Sequence, residues 1–364
     1  MFFRTFGGSL AVAALGLALG LIYGGGTGLA VVAILAVLEV SLSFDNAVVN
    51  ATVLVRMNPF WQKIFLTVGV AIAVFGMRLI FPLLVVGITA KLNPIQAVRL
   101  ALQKGDPHQH GTYGYLLHQA HPAIAAFGGT FLLMLFLDFI LAEREITWLT
   151  WFERPLARIG KLDQLSVTIS LVFLTVVAYT LAPQGKISTV LVSGVLGMAT
   201  YLVVNALGEF FDTDDEAESE VAAGGPRRTT LVVGKAAFFL FLYLEVLDAS
   251  FSFDGVVGAF AITSDPIIIA IGLGVGAMFI RSLTVYLVKK GTLGEYIYLE
   301  HGALWAIGAL AVVLMFTIRY SIPEVVTGLI GVGFIGAALA SSIVRNRRAA
   351  AAGLSEHDVE AAVV

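Results

Sequence analysis

The sequence predicts an all-α fold, a polytopic transmembrane helix bundle of about ten spans with an inverted internal repeat. Three observations predict it: an apolar composition, a series of apolar stretches near membrane-spanning length, and two similar acidic segments far apart in the chain. Of the 364 residues, 58% are hydrophobic and 13% are charged, whereas a soluble domain carries about a quarter charged residues. The bulk composition therefore indicates a membrane protein.

The composition also narrows the classes of function. The net charge is -3, so the chain has no basic face to neutralise the phosphates of a nucleic acid. It contains no cysteine, which removes thiolate metal sites and thiol redox chemistry. Segment 1–27 places Arg4 before an apolar run, as a signal peptide would, but it lacks a convincing small-x-small cleavage site. We therefore expect a first transmembrane helix and a turn there.

A helix needs about 20 apolar residues to cross the hydrocarbon core of a membrane. The stretches that approach this length are 8–23, 28–55, 62–90, 122–142, 165–182, 187–208, 231–262, 266–288, 301–317 and 325–345. Segment 211–230 is acidic and then contains Gly and Pro, so it predicts a solvated cytoplasmic linker. The linker separates a first repeat half, 28–210, from a second, 231–345. The tail, 346–364, is expected to be a frayed helix without chemistry.

The Lys and Arg residues of the loops predict the orientation, because cytoplasmic loops carry the excess of positive charge. With a cytoplasmic N-terminus, 14 of them are cytoplasmic, namely Arg4, Arg56, Lys63, Arg144, Arg154, Arg158, Lys161, Arg227, Arg228, Lys289, Lys290, Arg345, Arg347 and Arg348. Five are external, namely Lys91, Arg99, Lys104, Lys186 and Arg319. We therefore expect both termini in the cytoplasm and the chain in the plasma (inner) membrane.

Histidines cluster in the loop 106–121, which this orientation places outside the membrane. They are His108, His110, His118 and His121. A metal-collecting loop and a plain solvated turn both fit this composition. The other histidines also lie in or near predicted loops, away from the acidic segments described next, so we expect no histidine at the core of the bundle.

The two acidic segments, 39–51 and 245–263, contain copies of one motif. "EVSLSFD" aligns without gaps with "DASFSFD", and both serines, the second phenylalanine and the final aspartate are identical. The aligned carboxylates are Glu39 with Asp248 and Asp45 with Asp254. These identities indicate an internal duplication.

One predicted span after each motif comes a single arginine, Arg78 and then Arg281. The motifs lie on the second and the seventh predicted spans, which run in opposite directions through the membrane. The copies are therefore inverted, the arrangement by which many transporters form a binding site near the membrane midplane. We expect the two arginines to act as counter-ions for the acids when no cation is bound; the alternative is that they extend to an interface and anchor their helices.

Five carboxylates lie inside the predicted spans: Glu39, Asp45, Glu245, Asp248 and Asp254. Unpaired, each would cost roughly 2.5–3.5 kcal/mol and all of them about 12–17 kcal/mol, comparable with the stability of a typical domain, about 5–15 kcal/mol. They must be protonated, paired with the arginines or bound to a cation. An ion-pair network that fixes helix packing is the structural alternative, but two arginines cannot neutralise five carboxylates.

The neighbouring polar residues are oxygen donors. Glu39, Ser43, Asn46 and Asn50 follow an i, i+4, i+7, i+11 stripe on one helix face. Asp45 lies about 120° from that face, so both acids can meet one ion if the helix unwinds between them or if two such helices face each other. Two glycines after the second motif would ease such a break. Oxygen ligands suit hard divalent cations such as Mn²⁺, Mg²⁺ and Ca²⁺.

At these residues the chain resembles the TerC family of integral membrane proteins, within the wider LysE group of exporters. "LEVSLSFDNAVV" at 38–49 is similar to the first family signature, and "DASFSFDGVVGAFAITSDP" at 248–266 is similar to the second acidic segment. "FGGTFLLMLFLDF" at 127–139 and "YLEHGALWAIGAL" at 298–310 resemble a long TerC-like branch. The resemblance covers roughly residues 28 to 345.

The resemblance implies export of Mn²⁺ and a link to tellurite resistance. Carried over residue by residue, it implies a cation site formed by Glu39, Asp45, Asn46, Asp248 and Asp254. Glu245 is a candidate additional acid, and the motif serines Ser43 and Ser252 are candidate hydroxyl ligands. Gly255 departs from the family pattern, which commonly has a serine there, so the identity of the ion stays open between Mn²⁺, Ca²⁺ and Mg²⁺.

The first hypothesis is a transporter that exports a divalent metal ion. The second is a membrane scaffold for tellurium or metal-stress resistance that acts through partner proteins, either stress-response proteins or further copies of the chain. An enzyme is not expected, because no nucleophile and base stand at a recognisable spacing. Besides the metal ion, membrane lipid is the expected partner.

Overall fold

The computed structural model describes residues 2–103, 105, 108–144, 146–162, 164–222, 231–290 and 295–351. Within these ranges the protein is helical, and the one β-type contact is an isolated parallel bridge between Met57 and Val232. The elements are α1 (Phe2–Leu42), α2 (Phe44–Leu54), α3 (Pro59–Ile64), two π-helical segments (Phe65–Gly69 and Ile72–Ile80), α4 (Phe81–Thr89), α5 (Pro94–Leu102), α6 (Tyr113–Leu141), α7 (Thr150–Ile159), α8 (Leu165–Thr180), α9 (Ile187–Ala222), α10 (Gly234–Ile262), α11 (Pro266–Lys290), α12 (Leu299–Thr317) and α13 (Glu324–Ala351). The all-α prediction is confirmed for this part of the chain.

Seven segments of the described chain are long and apolar enough to cross a membrane. They are Thr5–Leu42, Pro59–Ile88, Tyr113–Leu141, Ile187–Leu207, Pro266–Lys290, Leu299–Thr317 and Val326–Arg348. The protein is therefore a multi-pass membrane protein. Helix α8 is apolar but has 16 residues, and α10 has 29 residues but contains the second acidic segment. The count of ten spans stays a prediction.

Helix α1 reverses direction at Gly25, whose φ is 62° and ψ is -152°. This conformation is nearly exclusive to glycine, because a Cβ atom would clash with the backbone. Past the reversal the chain folds back, so that a Cβ added to Gly20 would lie 3.1 Å from the carbonyl oxygen of Gly28. The predicted stretch 8–23 thus lies in the first arm of one helical hairpin, and the predicted stretch 28–55 begins with its second arm.

Both arms of this hairpin pack against α11, and glycines permit the close approach. A Cβ on Gly16 would lie 2.5 Å from Val275, and one on Gly272 would lie 2.6 Å from Leu35. In the first arm Ser9 donates a hydrogen bond to the carbonyl oxygen of Met278 at 2.7 Å. The residue pairing shows that the first arm runs antiparallel to α11 and the second arm parallel to it.

Helix α10 packs beside the stretch that runs from α3 to α4. Its N-terminus is tied there by backbone hydrogen bonds, from Val232 to the carbonyl oxygen of Arg56 at 2.8 Å and from Asn58 to that of Val232 at 3.1 Å. A Cβ on Gly69 would lie 2.6 Å from Glu245 Oε1. The two stretches are therefore parallel, which repeats the relation between the second arm of α1 and α11.

The largest apolar core forms around α6, which lies between α9 and α12. Its members include Phe131, Leu132, Met134, Tyr201 and Ile307. Thr130 on α6 donates to the carbonyl oxygen of Gly194 at 2.7 Å, so that this contact satisfies a buried hydroxyl. Helices α6, α9 and α12 thus support the acidic helices from one side.

Two expectations about loops are corrected. The predicted linker 211–230 is helical as far as Ala222, because its Glu and Ala residues favour helix; residues 223–230 lie outside the described part. The histidine loop 106–121 ends where α6 begins at Tyr113, since Thr112 caps the helix. The tail continues α13 to Ala351, and residues 352–364 are not described. Two short helices, α5 and α7, lie in stretches predicted as loops.

Candidate functional site

The first motif is interrupted at Ser43, where α1 ends and α2 begins. Ser43 has φ -99° and ψ 16°, so the predicted single stretch 28–55 contains a local break. The Ser43 hydroxyl donates to Glu39 Oε1 at 2.8 Å, and Glu39 is 1% exposed. The backbone hydrogen bonds from Ser43 to the carbonyl oxygen of Glu39 at 2.9 Å and from Ala47 to that of Ser43 at 3.2 Å are kept, so the break is local, and a serine hydroxyl lies against a buried carboxylate beside it.

Arg78 lies on the second π-helical segment and is 5% exposed. Its guanidinium forms an ion pair with Glu39 and donates to the carbonyl oxygen of Ala73 at 2.5 Å. Wide π-helical turns occur often at functional sites, where they change the direction of a side chain. The arginine is directed into the bundle, so the alternative that it extends to an interface is wrong.

Asp248 on α10 joins the two motifs. Its Oδ1 accepts a hydrogen bond from the side-chain amide of Asn46 on α2, and its Oδ2 accepts one from Arg281 at 3.1 Å. Arg281 is also 5% exposed and donates to the carbonyl oxygen of Gly69 at 3.2 Å. Each motif thus pairs its first acid with the arginine that follows one span later, and an asparagine of one motif reaches the acid of the other.

Glu245 is buried at 5% exposure, and neither of its oxygens accepts a hydrogen bond from a described residue. The nearest cation is Arg281, whose Nη2 lies 3.9 Å from Glu245 Oε1. That guanidinium is already shared, because it also lies over the ring of Phe65 at 3.9 Å, a favourable cation–π position. A buried carboxylate without a hydrogen bond is costly, so Glu245 is the least satisfied of the site acids whose side chains the structure describes.

The helices that carry the motifs run antiparallel where they meet. Glu39, early in the first motif, lies against Gly255, late in the second, and a Cβ on Gly255 would lie 3.2 Å from Glu39 Oε2. Asn46, later in the first motif, meets Asp248, early in the second. Glu39 also packs against Gly276 of α11, where a Cβ would lie 2.5 Å from the Cβ of Glu39. Carboxylates, amide and guanidinium groups of both segments therefore share one buried region.

The structure brings together most of the predicted site residues. They are Glu39, Ser43, Asn46, Arg78, Glu245, Asp248 and Arg281. Ser252 is buried on α10. The side chains of Asp45 and Asp254 lie outside the described residues. Among the side chains that are described, no group of three or more His, Asp or Glu residues stands within common reach of a metal ion. Helix α10 is continuous through the second motif, so the break expected at its glycines is not formed.

A cavity of about 490 Å³ lies beside the acidic region, between α2, α6, α9, α10 and α12. Its polar lining consists of Thr52, Arg56, Asp138, Arg144, Tyr201, Asn205, Tyr243 and Glu300. Arg144 and Glu300 form a partly exposed pair, 4.0 Å apart, at the end that is predicted to face the cytoplasm. Towards the opposite side, near Arg78, a cavity of about 60 Å³ has a mainly apolar lining.

Two further polar residues bear on the site: Asp138, which lines the cavity and was not predicted as functional, and Asn50, a member of the predicted polar stripe on α2. Asp138 on α6 accepts a hydrogen bond from the Tyr201 hydroxyl at 2.8 Å. Asn50 on α2 is 0% exposed, and both polar atoms of its side chain lack a hydrogen-bond partner among the described residues. The signal for Asp138 was present in the sequence, as a single acid near the end of the apolar run "FLLMLFLDFIL".

A second buried polar cluster joins α7 to α12 and has a structural role. The Glu153 carboxylate accepts hydrogen bonds from the backbone of Trp148 at 3.0 Å and from the indole of Trp305 at 3.1 Å. His301 is buried beside it, with Nε2 3.0 Å from the carbonyl oxygen of Ile146. His301 lies near a loop as expected, at the start of α12, but it is buried. None of the predicted site residues belongs to this cluster.

The profile of one protein family matches residues 44–349, and its description reads "Protein of unknown function (DUF475)". The match includes α2, the second acidic segment, both arginines and the cavity, and it begins after Glu39 and Ser43. Comparison with curated proteins and with solved structures gave no match.

Proposed function

We propose that this chain, which belongs to the family described as "Protein of unknown function (DUF475)", is a membrane transporter that exports a divalent metal cation. Since the family description names no function, the proposal rests on the buried charges of the chain. Mn²⁺ is the first candidate, with Ca²⁺ and Mg²⁺ as alternatives, because carboxylate, hydroxyl and amide oxygens suit hard cations. The resemblance to the TerC family supports the same choice of ion. The site comprises Glu39, Asp248 and Glu245, with Asp45 and Asp254 as further ligands.

The observation that carries this proposal is the incomplete neutralisation of the buried acids. Three described carboxylates face two guanidinium groups, and Glu245 receives no hydrogen bond from a described residue. In a network that only fixes helix packing, each buried acid is expected to have a hydrogen-bond partner, because a buried carboxylate without one is costly. A cation that displaces the arginines from the carboxylates would complete the charge balance.

The packing supports an inverted repeat around this site. The second arm of α1 is parallel to α11, α10 is parallel to the stretch from α3 to α4, and the two motif helices are antiparallel. Transporters with inverted repeats alternate access by moving one repeat against the other around a central site. We place the protein in the plasma (inner) membrane with both termini cytoplasmic, as the Lys and Arg distribution predicts.

The second candidate is a scaffold for metal or tellurium stress resistance that acts through partners. It accounts for the ion pairs of Arg78 and Arg281 as packing elements. It gives no role to Glu245, whose burial without a hydrogen bond destabilises a purely structural protein. The transporter therefore accounts for more of the site.

Mn²⁺ uptake by inside-out vesicles tests the proposal. Asp248→Asn and Glu245→Gln keep the side-chain volume and remove a charged ligand, so each should lower the apparent affinity by about tenfold or more, equivalent to about 1.4 kcal/mol. Glu143→Gln is the control, since Glu143 is an exposed acid paired with Lys161 at 2.8 Å. Normal uptake by both site variants would place the site elsewhere. Absence of uptake by the unmodified protein would favour the scaffold.

A further inference from the structure

The cavity of about 490 Å³ has the features of a route to the buried acids rather than of a packing defect. Empty cavities in proteins are apolar, whereas polar ones hold water. Thr52, Asp138 and Asn205 line this one, and the partly exposed pair of Arg144 and Glu300 marks its outer end. A cation from the predicted cytoplasmic side would therefore remain hydrated as it enters.

The inner end of the cavity lies close to the acids. On α2, Asn46, Asn50 and Val53 share one face at i, i+4 and i+7, and Val53 lines the cavity. Val53 lies about 10 Å along the helix axis from Asn46, which bonds Asp248. On α10, the cavity residue Tyr243 precedes Asp248 by about 7.5 Å along the axis. On α2, Asn50 lies in the axial gap between the cavity residue Val53 and Asn46.

Asn50 points to a ligand in this gap. It is fully buried, and both polar atoms of its amide lack a partner within the described part of the protein. A buried amide without hydrogen bonds costs free energy. We therefore expect another group to bond the Asn50 amide at some stage of the transport cycle. A hydrated cation does so, because the amide oxygen can accept from its water or bind the ion directly.

Resting on the proposed export function, we infer that Asp138 is an intermediate cation-binding residue on an access route from the cytoplasm, with Asn50 as the next ligand before Asp248. Tyr201 donates to Asp138 Oδ2 at 2.8 Å and so fixes the carboxylate at the cavity wall. The ligand is a hydrated divalent cation. Asp138 concentrates it in the cavity, and the buried acids remove its remaining water.

The absence of cysteine from the chain permits a direct test with Thr52→Cys, which places one thiol in the cavity. The lining carries two acids, Asp138 and Glu300, and two arginines, Arg56 and Arg144, so the nearby Asp138 carboxylate and not the net charge of the cavity should make a cationic methanethiosulfonate reagent modify the thiol faster than an anionic reagent of similar size. Mn²⁺ in the medium should slow the cationic reaction. Asp138→Asn added to this variant should remove both effects. Equal rates that neither Mn²⁺ nor Asp138→Asn changes would overturn the inference.

Flux measurements provide the second arm. Asp138→Asn should reduce Mn²⁺ uptake at low concentration and leave the rate at saturation nearly unchanged, because capture and not release is affected. Tyr201→Phe, which keeps the carboxylate but removes its hydrogen bond, should give a smaller change in the same direction and serves if Asp138→Asn does not fold. Glu143→Gln is again the control. If the unmodified protein transports Mn²⁺ and Asp138→Asn shows normal uptake at low concentration, the access role is refuted and export is not. If the unmodified protein shows no uptake, export is refuted, and the thiol-labelling experiment alone decides whether the cavity is a cation route.

Discussion

At the residue scale, substitution of Arg281 tests whether this side chain is a counter-ion for the buried acids or only a packing residue. It contacts Asp248 at 3.1 Å, the Gly69 carbonyl oxygen at 3.2 Å and the Phe65 ring. Arg281→Gln leaves buried carboxylates uncompensated, which costs about 3–5 kcal/mol for a buried pair, so the midpoint of thermal unfolding should fall. If the acids hold metal, Mn²⁺ should restore much of the loss, because a ligand that binds only the folded state stabilises it.

The matched control is Arg99→Gln, which removes an exposed arginine of α5 and should leave both the midpoint and its Mn²⁺ response unchanged. In the uptake assay Arg281→Gln should raise the apparent affinity for Mn²⁺ and lower the maximal rate, since the empty site is no longer stabilised for its return. A lowered midpoint that Mn²⁺ fails to raise would assign Arg281 to packing.

At the element scale, the reversal of α1 depends on one backbone conformation. Gly25 has a positive φ and no atom within 4 Å of an added Cβ, whereas the adjacent Gly26 has equal space and no positive φ. Gly25→Ala should therefore destabilise the protein by about 1–3 kcal/mol through backbone strain alone. Gly26→Ala should be neutral or slightly stabilising, because alanine favours helix. Equal unfolding midpoints in detergent would show that the hairpin does not require the strained conformation.

At the scale of the whole molecule, the topology depends on whether α8 crosses the membrane. Its 16 residues extend about 24 Å, less than the hydrocarbon thickness of about 30 Å. Ten spans require it to cross. Gln184→Cys and Lys161→Cys, both at exposed positions on either side of α8, should then react with an impermeant thiol reagent from opposite sides, Gln184→Cys from outside. Reaction of both from the cytoplasmic side would contradict the inverted repeat.

Sequence patterns predicted most of the long helices and the partners of the site. Span 266–288 was predicted almost to the residue, because Asp265 and Pro266 mark its start and its apolar run is unbroken. The family resemblance implied that Asn46 and Asp248 belong to one site, and the structure adds their hydrogen bond. The counter-ion role predicted for Arg78 named no single acid, and the π-helical turns that direct Arg78 to Glu39 could not be predicted because they have no simple sequence period. Asp138 was missed because one acid near a helix end is common, and only the fold places it in a cavity.

The ion pairs of Arg78 and Arg281 have an electrical consequence for a cation exporter. Moving one elementary charge through 100 mV involves about 2.3 kcal/mol, so export of a divalent ion against an inside-negative voltage requires about 4.6 kcal/mol. In the proposed cycle the arginines would move with their own helices and return with them, so they would balance the empty site and carry no net current. The work must therefore come from another gradient, and the carboxylate without a hydrogen bond, Glu245, is placed to take up an inward-moving proton when the metal departs.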